Sequence, residues 1–444
     1  ILNTGQYLDI AGPLDVDAFR KAVDATVDEA EALSLRFEDG LQGPVQAVDA
    51  SRRPFLEEVD VSGADDPAAE ALAAIEADTS TPLDLARDRI ASFRLYRLSS
   101  KRHFFYERIH HLAIDGFGMV LVTNRVAERY ACLMRGTEPA ARFPPLQVAL
   151  DDDRAYAQSE KREADRAFWH EAMAGLEPVT GMAPGRAISG PNFHRTSLYL
   201  PPRFMERLQA FATEAKVTWP DALTALVAAY CRRFAGTEEI VVGVPYMGRL
   251  GSAAARVPCM LMNALPLRIA PDEMQATSDY LVGVSRQLIR ARRHGRYRSE
   301  QLRRDLGLVG GQRRLYGPLI NMQPFDLPPA MPGLDVTLNI LGAGAVDDIT
   351  FTFRGDAVSA LLMEVDSNPT LYSAEATRAH SRRLAAFLEK AMEAETLADV
   401  PTACDADVER YLVEANRTEH AVPDTTLAAL IEAKMLHTPD APAL

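Results

Sequence analysis

The sequence predicts a mixed α/β (α+β) fold built from two halves that face one another. The chain has 444 residues, more than one hydrophobic core ordinarily serves, so two subdomains are expected. Strand-like and helix-like segments mix on both sides of the middle. Between Thr180 and Arg195 all periodicity stops, and Gly181, Pro184, Gly185, Gly190 and Pro191 cluster there, as at a domain boundary. The expected division is 1–179 for the first half, 180–195 for the linker between halves, 196–415 for the second half and 416–444 for a tail.

The elements follow in order. Gln6–Ile10 reads as a short strand. A helix follows it, capped by Asp15, with Val16, Phe19, Val23 and Val27 at spacings of three and four. Leu33–Phe37 reads as a strand. Ser92–Leu98 and His103–Ile109 are rich in aromatic and branched residues and read as two more. A helix is expected from about Phe117, with Val122, Val126 and Tyr130 on one stripe and Gly136 as its stop.

The second half opens with a strand at Thr196–Leu200 and a helix from Pro202 to about Ala215. Thr218 caps the next helix, which carries Pro220 in its first turn and ends at Gly236. Glu239–Pro245 is nearly all apolar, as for a strand buried on both faces. Further strands are expected at Leu261–Ile269, Gly317–Met322, Thr337–Leu341, Ile349–Arg354 and Ala357–Val365, and a last helix at Ala374–Glu393. The tail, with Val422-Pro423-Asp424, an apolar helical run and Thr438-Pro439-Asp440-Ala441-Pro442, reads as a linker to another domain.

Composition narrows the function. Hydrophobic residues make up 47% and charged residues 25%, the balance of a soluble globular protein. No apolar run approaches the ~20 residues that span a bilayer, and no secretory leader pattern opens the chain. A first residue Ile1 rather than Met points to an excerpt of a longer chain. The formal net charge of −14 repels phosphate backbones and argues against nucleic acid as a partner. The four cysteines, Cys132, Cys231, Cys259 and Cys404, have no metal-ligand spacing. They read as reduced thiols of a cytoplasmic protein.

The segment that carries chemistry is His110-His111-Leu112-Ala113-Ile114-Asp115-Gly116. Two histidines end a strand, followed by an Asp-Gly turn that opens a helix. An imidazole exchanges protons at neutral pH. Asp115 can orient a ring or pair with an arginine. Gly116 lets the backbone turn sharply and bring an N–H close to a substrate. Neighbours on a strand point to opposite faces, so His110 and His111 do not chelate a metal together. By itself the pair fits a hydrogen-bonded histidine pair beside a turn as well as a catalytic one.

The full spacing resembles the HHxxxDG signature of condensation domains of nonribosomal peptide synthetases, which belong to the chloramphenicol acetyltransferase-like superfamily. Other stretches match in the family's order. These are Ala32–Phe37 with its arginine, Phe168-Trp169, and Val257–Asn263 with Leu265–Arg268. Later come His294-Gly295-Arg296-Tyr297 with Glu300, and Gly317–Asp326 bearing Asn321. The tail resembles the family's linker into an adenylation domain. The resemblance implies two acetyltransferase-like subdomains in a V shape around a central tunnel, the first carrying HHxxxDG. It implies amide-bond formation between a carrier-bound acyl donor and a carrier-bound aminoacyl acceptor.

Site roles follow from the same resemblance. His111 is the base, or the group that positions the amine. Gly116 offers its backbone N–H, and Asn321 is a donor in the tunnel. His110 packs, Asp115 holds the loop, and Arg36 is its expected partner. The usual arginine position holds Ser34 here, but residues i and i+2 share a strand face. Other departures are Gly342–Asp348 where the family has DFGWG, Gly118 where serine is common, and a missing first motif, so that the chain begins inside the domain. No cofactor or metal is expected on this domain itself. Phosphopantetheine arms come with the partners, an upstream donor carrier and the downstream adenylation and peptidyl carrier domains. The isolated domain is expected to be a monomer.

Members sharing HHLxxDGF, a GPxxN strand and the loss of DFGWG imply an aryl donor. Eight arginines, Arg286, Arg290, Arg292, Arg293, Arg296, Arg298, Arg303 and Arg304, form either a solvated helix face or a docking patch for acidic carriers. The alternatives weighed are an epimerisation-type domain, whose EGHGR-type motif is not found, and a non-catalytic recruitment module, in which the histidines usually decay. Heterocyclisation domains carry aspartates in place of the histidines, and a free acyltransferase using coenzyme A would not need the adenylation-type linker.

Overall fold

The computed structural model describes all residues except 1, 42, 177, 178, 180, 186–191, 309–313, 326, 344, 345, 357–359, 422, 423, 443 and 444. Gly190, Pro191, Asp326, Gly344, Ala345, Ala357, Val422, Pro423 and the end of the tail therefore lie outside the described residues.

The chain forms two compact units, Ile1–Thr402 and Ala403–Leu444. The expectation had placed the start of the tail at residue 416. In chain order, the first unit begins with strand β1 (Asn3–Ala11), helix α1 (Val16–Val27), the hairpin β2 (Leu35–Gly40) and β3 (Gly43–Val48), and β4 (Leu56–Asp60). It continues with α2 (Pro67–Ser80), β5 (Ala91–Ser99), β6 (Arg102–His110), α3 (Gly116–Arg135), α4 (Leu146–Ala157) and α5 (Glu160–Ala172). Beyond the middle come β7 (His194–Leu200), α6 (Pro202–Glu214), α7 (Trp219–Ala235), β8 (Ile240–Tyr246), β9 (Asn263–Ile269), α8 (Thr277–Arg293) and α9 (Ser299–Asp305). Last are β10 (Leu319–Gln323), β11 (Asp335–Ala343), β12 (Ile349–Arg354), β13 (Leu361–Ser367) and α10 (Ala374–Ala391). The second unit holds α11 (Asp405–Val408), a π-helical turn and α12 (Leu427–His437). Along α12, Leu427, Ile431, Met435 and Leu436 are exposed.

Helix limits follow local chemistry. Asp15, Asp115, Thr218 and Ser373 cap α1, α3, α7 and α10 with their side-chain oxygens, which satisfy orphan N–H groups of the first turn. Gly136 and Gly236 stop α3 and α7 in the left-handed conformation. Leu33 and Ser34 depart from expectation: they lie in a 3₁₀ turn, and the strand starts at Leu35. That hairpin is a separate two-stranded sheet, and its second strand is exposed throughout.

Two sheets organise the unit, in the orders β11-β1-β6-β5-β4 and β7-β13-β12-β10-β8-β9. The first has α1 and α3 on one face, around Phe19, Phe105 and Val122, and α2 on the other, around Ile75, Tyr96 and Tyr106. The second core surrounds α7, which is buried from Asp221 to Cys231.

The halves exchange elements. β11, from beyond residue 195, pairs antiparallel with β1. α5, from before residue 179, packs Trp169 into the second core. The loop between β8 and β9 sends Ala254, Val257 and Cys259 into the first core. Among the described residues no helix is long and apolar enough to cross a membrane.

Candidate active site

The β6 strand ends at His110, and the turn after it delivers His111 and then the first turn of α3. His110 is buried, and burial above all, with surrounding positive charge, pushes its pKa down to about 4. It is neutral at physiological pH. Its Nδ1 accepts from the Leu112 N–H at 3.3 Å, which fixes the turn. His111 is half-exposed. It is held by its backbone N–H, which donates to Leu2 O at 2.7 Å, and its side chain lines a cavity of about 110 Å³.

That cavity is walled by both halves. Gln6, His111, Gly116 and Met119 come from the first, and Asn321 and Arg354 from the second. The sequence-predicted residues His111, Gly116 and Asn321 thus meet at one place. Gly116 is the first residue of α3, where backbone N–H groups have no partner within the helix and the helix dipole is positive. A Cβ there would lie 3.3 Å from Gln323 Nε2, so a side chain would crowd the wall. Gly118 explains a departure from the family pattern. Any Cβ at that position would meet Ile114 Cγ1 at 2.5 Å, so a serine would require the Ile114 side chain to shift.

Asp115 is 1% exposed, and its carboxylate accepts four hydrogen bonds. Oδ1 accepts from Gly118 N–H at 2.7 Å and from the Arg249 guanidinium at 2.8 Å. Oδ2 accepts from the N–H groups of Leu261 and Met262 at 2.9 and 3.0 Å. The expected pairing with Arg36 is corrected: Arg36 sits in the exposed hairpin and pairs with Glu38 at 3.2 Å and Asp49 at 3.9 Å. Arg249 takes that place. It is buried, donates to the carbonyls of Val257 and Cys259 at 2.8 Å, and lies over the Phe117 ring at 5.3 Å. The sequence reading gave Arg249 no role. The available signal was one arginine between Gly248 and Gly251, both in the left-handed region, as a tight loop that turns a charge inward requires. The nearby Cys259 thiol is pushed up to about 12 by burial and stays protonated, so it is no nucleophile.

The other family-matching residues do structural work. Asn263 Nδ2 donates to Gly295 O and Tyr297 O, and its Oδ1 accepts from Ser299 N–H. His294 stacks on Phe168 and contacts Asp165 at 2.7 Å, while the Trp169 indole donates to His294 O. Arg268 donates to Glu239. Within the arginine-rich stretch, Arg292 pairs with Asp221, Arg296 with Asp152 and Arg298 with Asp153, so part of it is neutralised within the fold.

Comparison with known proteins agrees with this arrangement. The family model "Condensation domain" matches residues 1–400. The dimodular nonribosomal peptide synthase of Bacillus subtilis is 36% identical over 449 residues, covering 100% of this chain and 19% of that protein. Enterobactin synthase component F of Escherichia coli O157:H7 is 30% identical over 100% of this chain and 35% of its own length. The chain thus spans about a fifth to a third of these curated relatives. Among solved structures, the starter condensation domain of rhizomide synthetase in complex with C8-CoA superposes with a TM-score of 0.83 at 30% identity, covering 90% of this chain and 91% of that one. VibH, a condensation enzyme, gives 0.78 at 29% identity over 88% and 91%. The chain belongs to the condensation domains of nonribosomal peptide synthetases, acyltransferase-type enzymes that form amide bonds.

Proposed function

We propose that this domain transfers an aryl acyl group from a donor carrier to the amine of an aminoacyl group on an acceptor carrier. The observation that carries the reading is the meeting of His111, Gly116 and Asn321 in one inter-lobe cavity with a polar far wall of Asn321, Gln323, Thr352 and Arg354. A hydroxylated ring offers hydrogen-bonding groups to such a wall, which an alkyl chain does not; Arg354 is itself held by Glu364 and Gln323. The neutral amine nitrogen attacks the thioester carbonyl carbon, and its proton passes to His111, acting as base or as the group that positions the amine. The C–S bond then breaks, and the proton is returned to the departing thiolate. The Gly116 N–H, on the positive end of α3, faces the oxyanion that forms meanwhile, and Asn321 supports it from the second half. His110 and Asp115 hold the turn, and Arg249 holds Asp115.

Both substrates arrive on phosphopantetheine arms, so the domain needs to hold no cofactor of its own, and tethering makes the encounter effectively intramolecular. The donor carrier precedes the domain, and residues 416–444 lead toward a downstream adenylation domain and its peptidyl carrier. The isolated domain acts as a cytoplasmic monomer. One observation favours a second reading, a medium-chain acyl donor: the rhizomide starter domain was solved with C8-CoA.

The test is intact-mass reconstitution with aryl-loaded and octanoyl-loaded donor carriers and an aminoacyl-loaded acceptor. The expected result is aryl transfer that falls ~10²–10⁴-fold in His111→Ala, the usual worth of a general base. Octanoyl transfer without aryl transfer would replace the donor assignment. A folded protein that transfers nothing from any donor would point to a recruitment module instead.

A further inference from the structure

A buried polar cluster stands behind the cavity wall, and the chemistry above does not use it. Gln6 on β1 faces Glu107 across the β1–β6 ladder. Its Nε2 donates to Glu107 Oε2 at 2.6 Å and to Thr123 Oγ1 at 2.7 Å, and the Thr123 hydroxyl lies 2.6 Å from the same carboxyl oxygen. Thr123 belongs to α3 and Glu107 to the strand that ends in His110, so the cluster is clamped between the two elements that build the active-site turn. Gln6 and Glu107 are 5% and 1% exposed. Glu107 Oε1 is buried with no hydrogen-bond partner, an arrangement that costs less for a neutral carboxyl than for a carboxylate. Burial pushes Glu107 up to about 7.

An amide can face a cavity with either its oxygen or its NH₂, and the choice sets which chemistry it reads. Here both N–H bonds are directed at Glu107 and Thr123, so the oxygen is the end left for the cavity that Gln6 lines. A fixed acceptor recognises a group that carries a hydrogen. It discriminates against an analogue lacking that hydrogen, because a buried acceptor is then left unpaired.

We propose that Gln6 is a donor-specificity residue whose amide oxygen accepts a hydrogen bond from a ring hydroxyl of the aryl acyl group, and that Glu107 and Thr123 are the positioning residues that fix its orientation. The proposal rests on the aryl-donor reading. No bond to the substrate is made or broken by the cluster. It selects which acyl group sits well enough to be attacked.

The test compares transfer from carrier proteins loaded with 2-hydroxybenzoyl, benzoyl and octanoyl groups by this 444-residue chain. The readout is the ratio of kcat/KM for 2-hydroxybenzoyl over benzoyl, taken within each variant so that a general loss of activity cancels. The wild-type ratio is expected near ~10, the worth of one neutral hydrogen bond at the upper end of its range. Gln6→Met, of similar volume, is expected to bring the ratio close to one. Glu107→Met, which removes the acceptor and frees the amide to turn over, is expected to do the same. Glu107→Gln, which restores an oxygen acceptor, is expected to keep the wild-type ratio. A wild type that takes both aryl donors equally, or a Gln6→Met variant with an unchanged ratio, overturns the proposal and leaves the aryl reading standing. A wild type that takes octanoyl and neither aryl group overturns both.

Discussion

At the scale of single residues, Asp115 joins the halves: three of the four hydrogen bonds to its carboxylate come from beyond residue 195. Removing one member of a buried pair leaves the other charge uncompensated, at about 3–5 kcal/mol. Asp115→Ala and Arg249→Ala are each expected to lose that much, and the double variant hardly more than either alone. A urea double-mutant cycle checks it, and additive losses would show that the two do not act as a pair. Glu107 makes a pH prediction. Its folded value, about 7, lies above the ordinary 4.5. As pH rises through that window the unfolded chain gives up a proton that the folded chain keeps, so stability falls and then levels off above 7. Glu107→Gln should flatten the urea midpoint between pH 5 and pH 8 relative to wild type, and an unchanged slope would assign the titration elsewhere. The sequence singled out His111 and Gly116 because they share one short motif, and Asn321, far along the chain, only through a strand motif of its own. It misled on Arg36, because no spacing tells which of many arginines folds back across 134 residues to a carboxylate.

At the scale of elements, periodicity located most strands and helices. Ile349–Arg354 was read with its observed bounds, and the caps at Asp15 and Thr218 are where their side chains predicted. What escaped were β3, β4, α2 and α4, in stretches where no element was read, and assignments that only tertiary contact makes. β2 and β3 have a strand pattern but pair with neither large sheet, and α5 precedes the linker yet packs with the second core. Close packing between elements is just as hidden. A Cβ on Gly243 in β8 would meet the Tyr316 ring at 2.5 Å and Leu319 Cδ1 at 2.7 Å. Gly243→Ala is therefore expected to destabilise by about 1–3 kcal/mol, as overpacked cores do. Calorimetry would register this as a lower Tm, and an unchanged Tm would mean that Tyr316 yields freely.

At the scale of the whole molecule, the first unit contains both sheets, and its helix α7 and strand β1 bury their faces within it. A chain ending at Thr402 is expected to unfold with the midpoint of the 444-residue chain, since the second unit is compact by itself. A marked fall in that midpoint would assign the tail a stabilising role. A chain ending at Met322 is expected to fail, because it lacks β11, the partner of β1. The pairing of β1 with β11 also sets a schedule during synthesis. Strands β6, β5 and β4 are complete early, but the free edge of β1 waits until residue 343 has been made, roughly 10 to 50 s later at ordinary elongation rates. For that interval the nascent chain presents an open strand edge ready to pair with a neighbouring polypeptide. Slow codons or scarce chaperones over residues 110–343 would therefore lower the yield of this protein more than its equilibrium stability suggests.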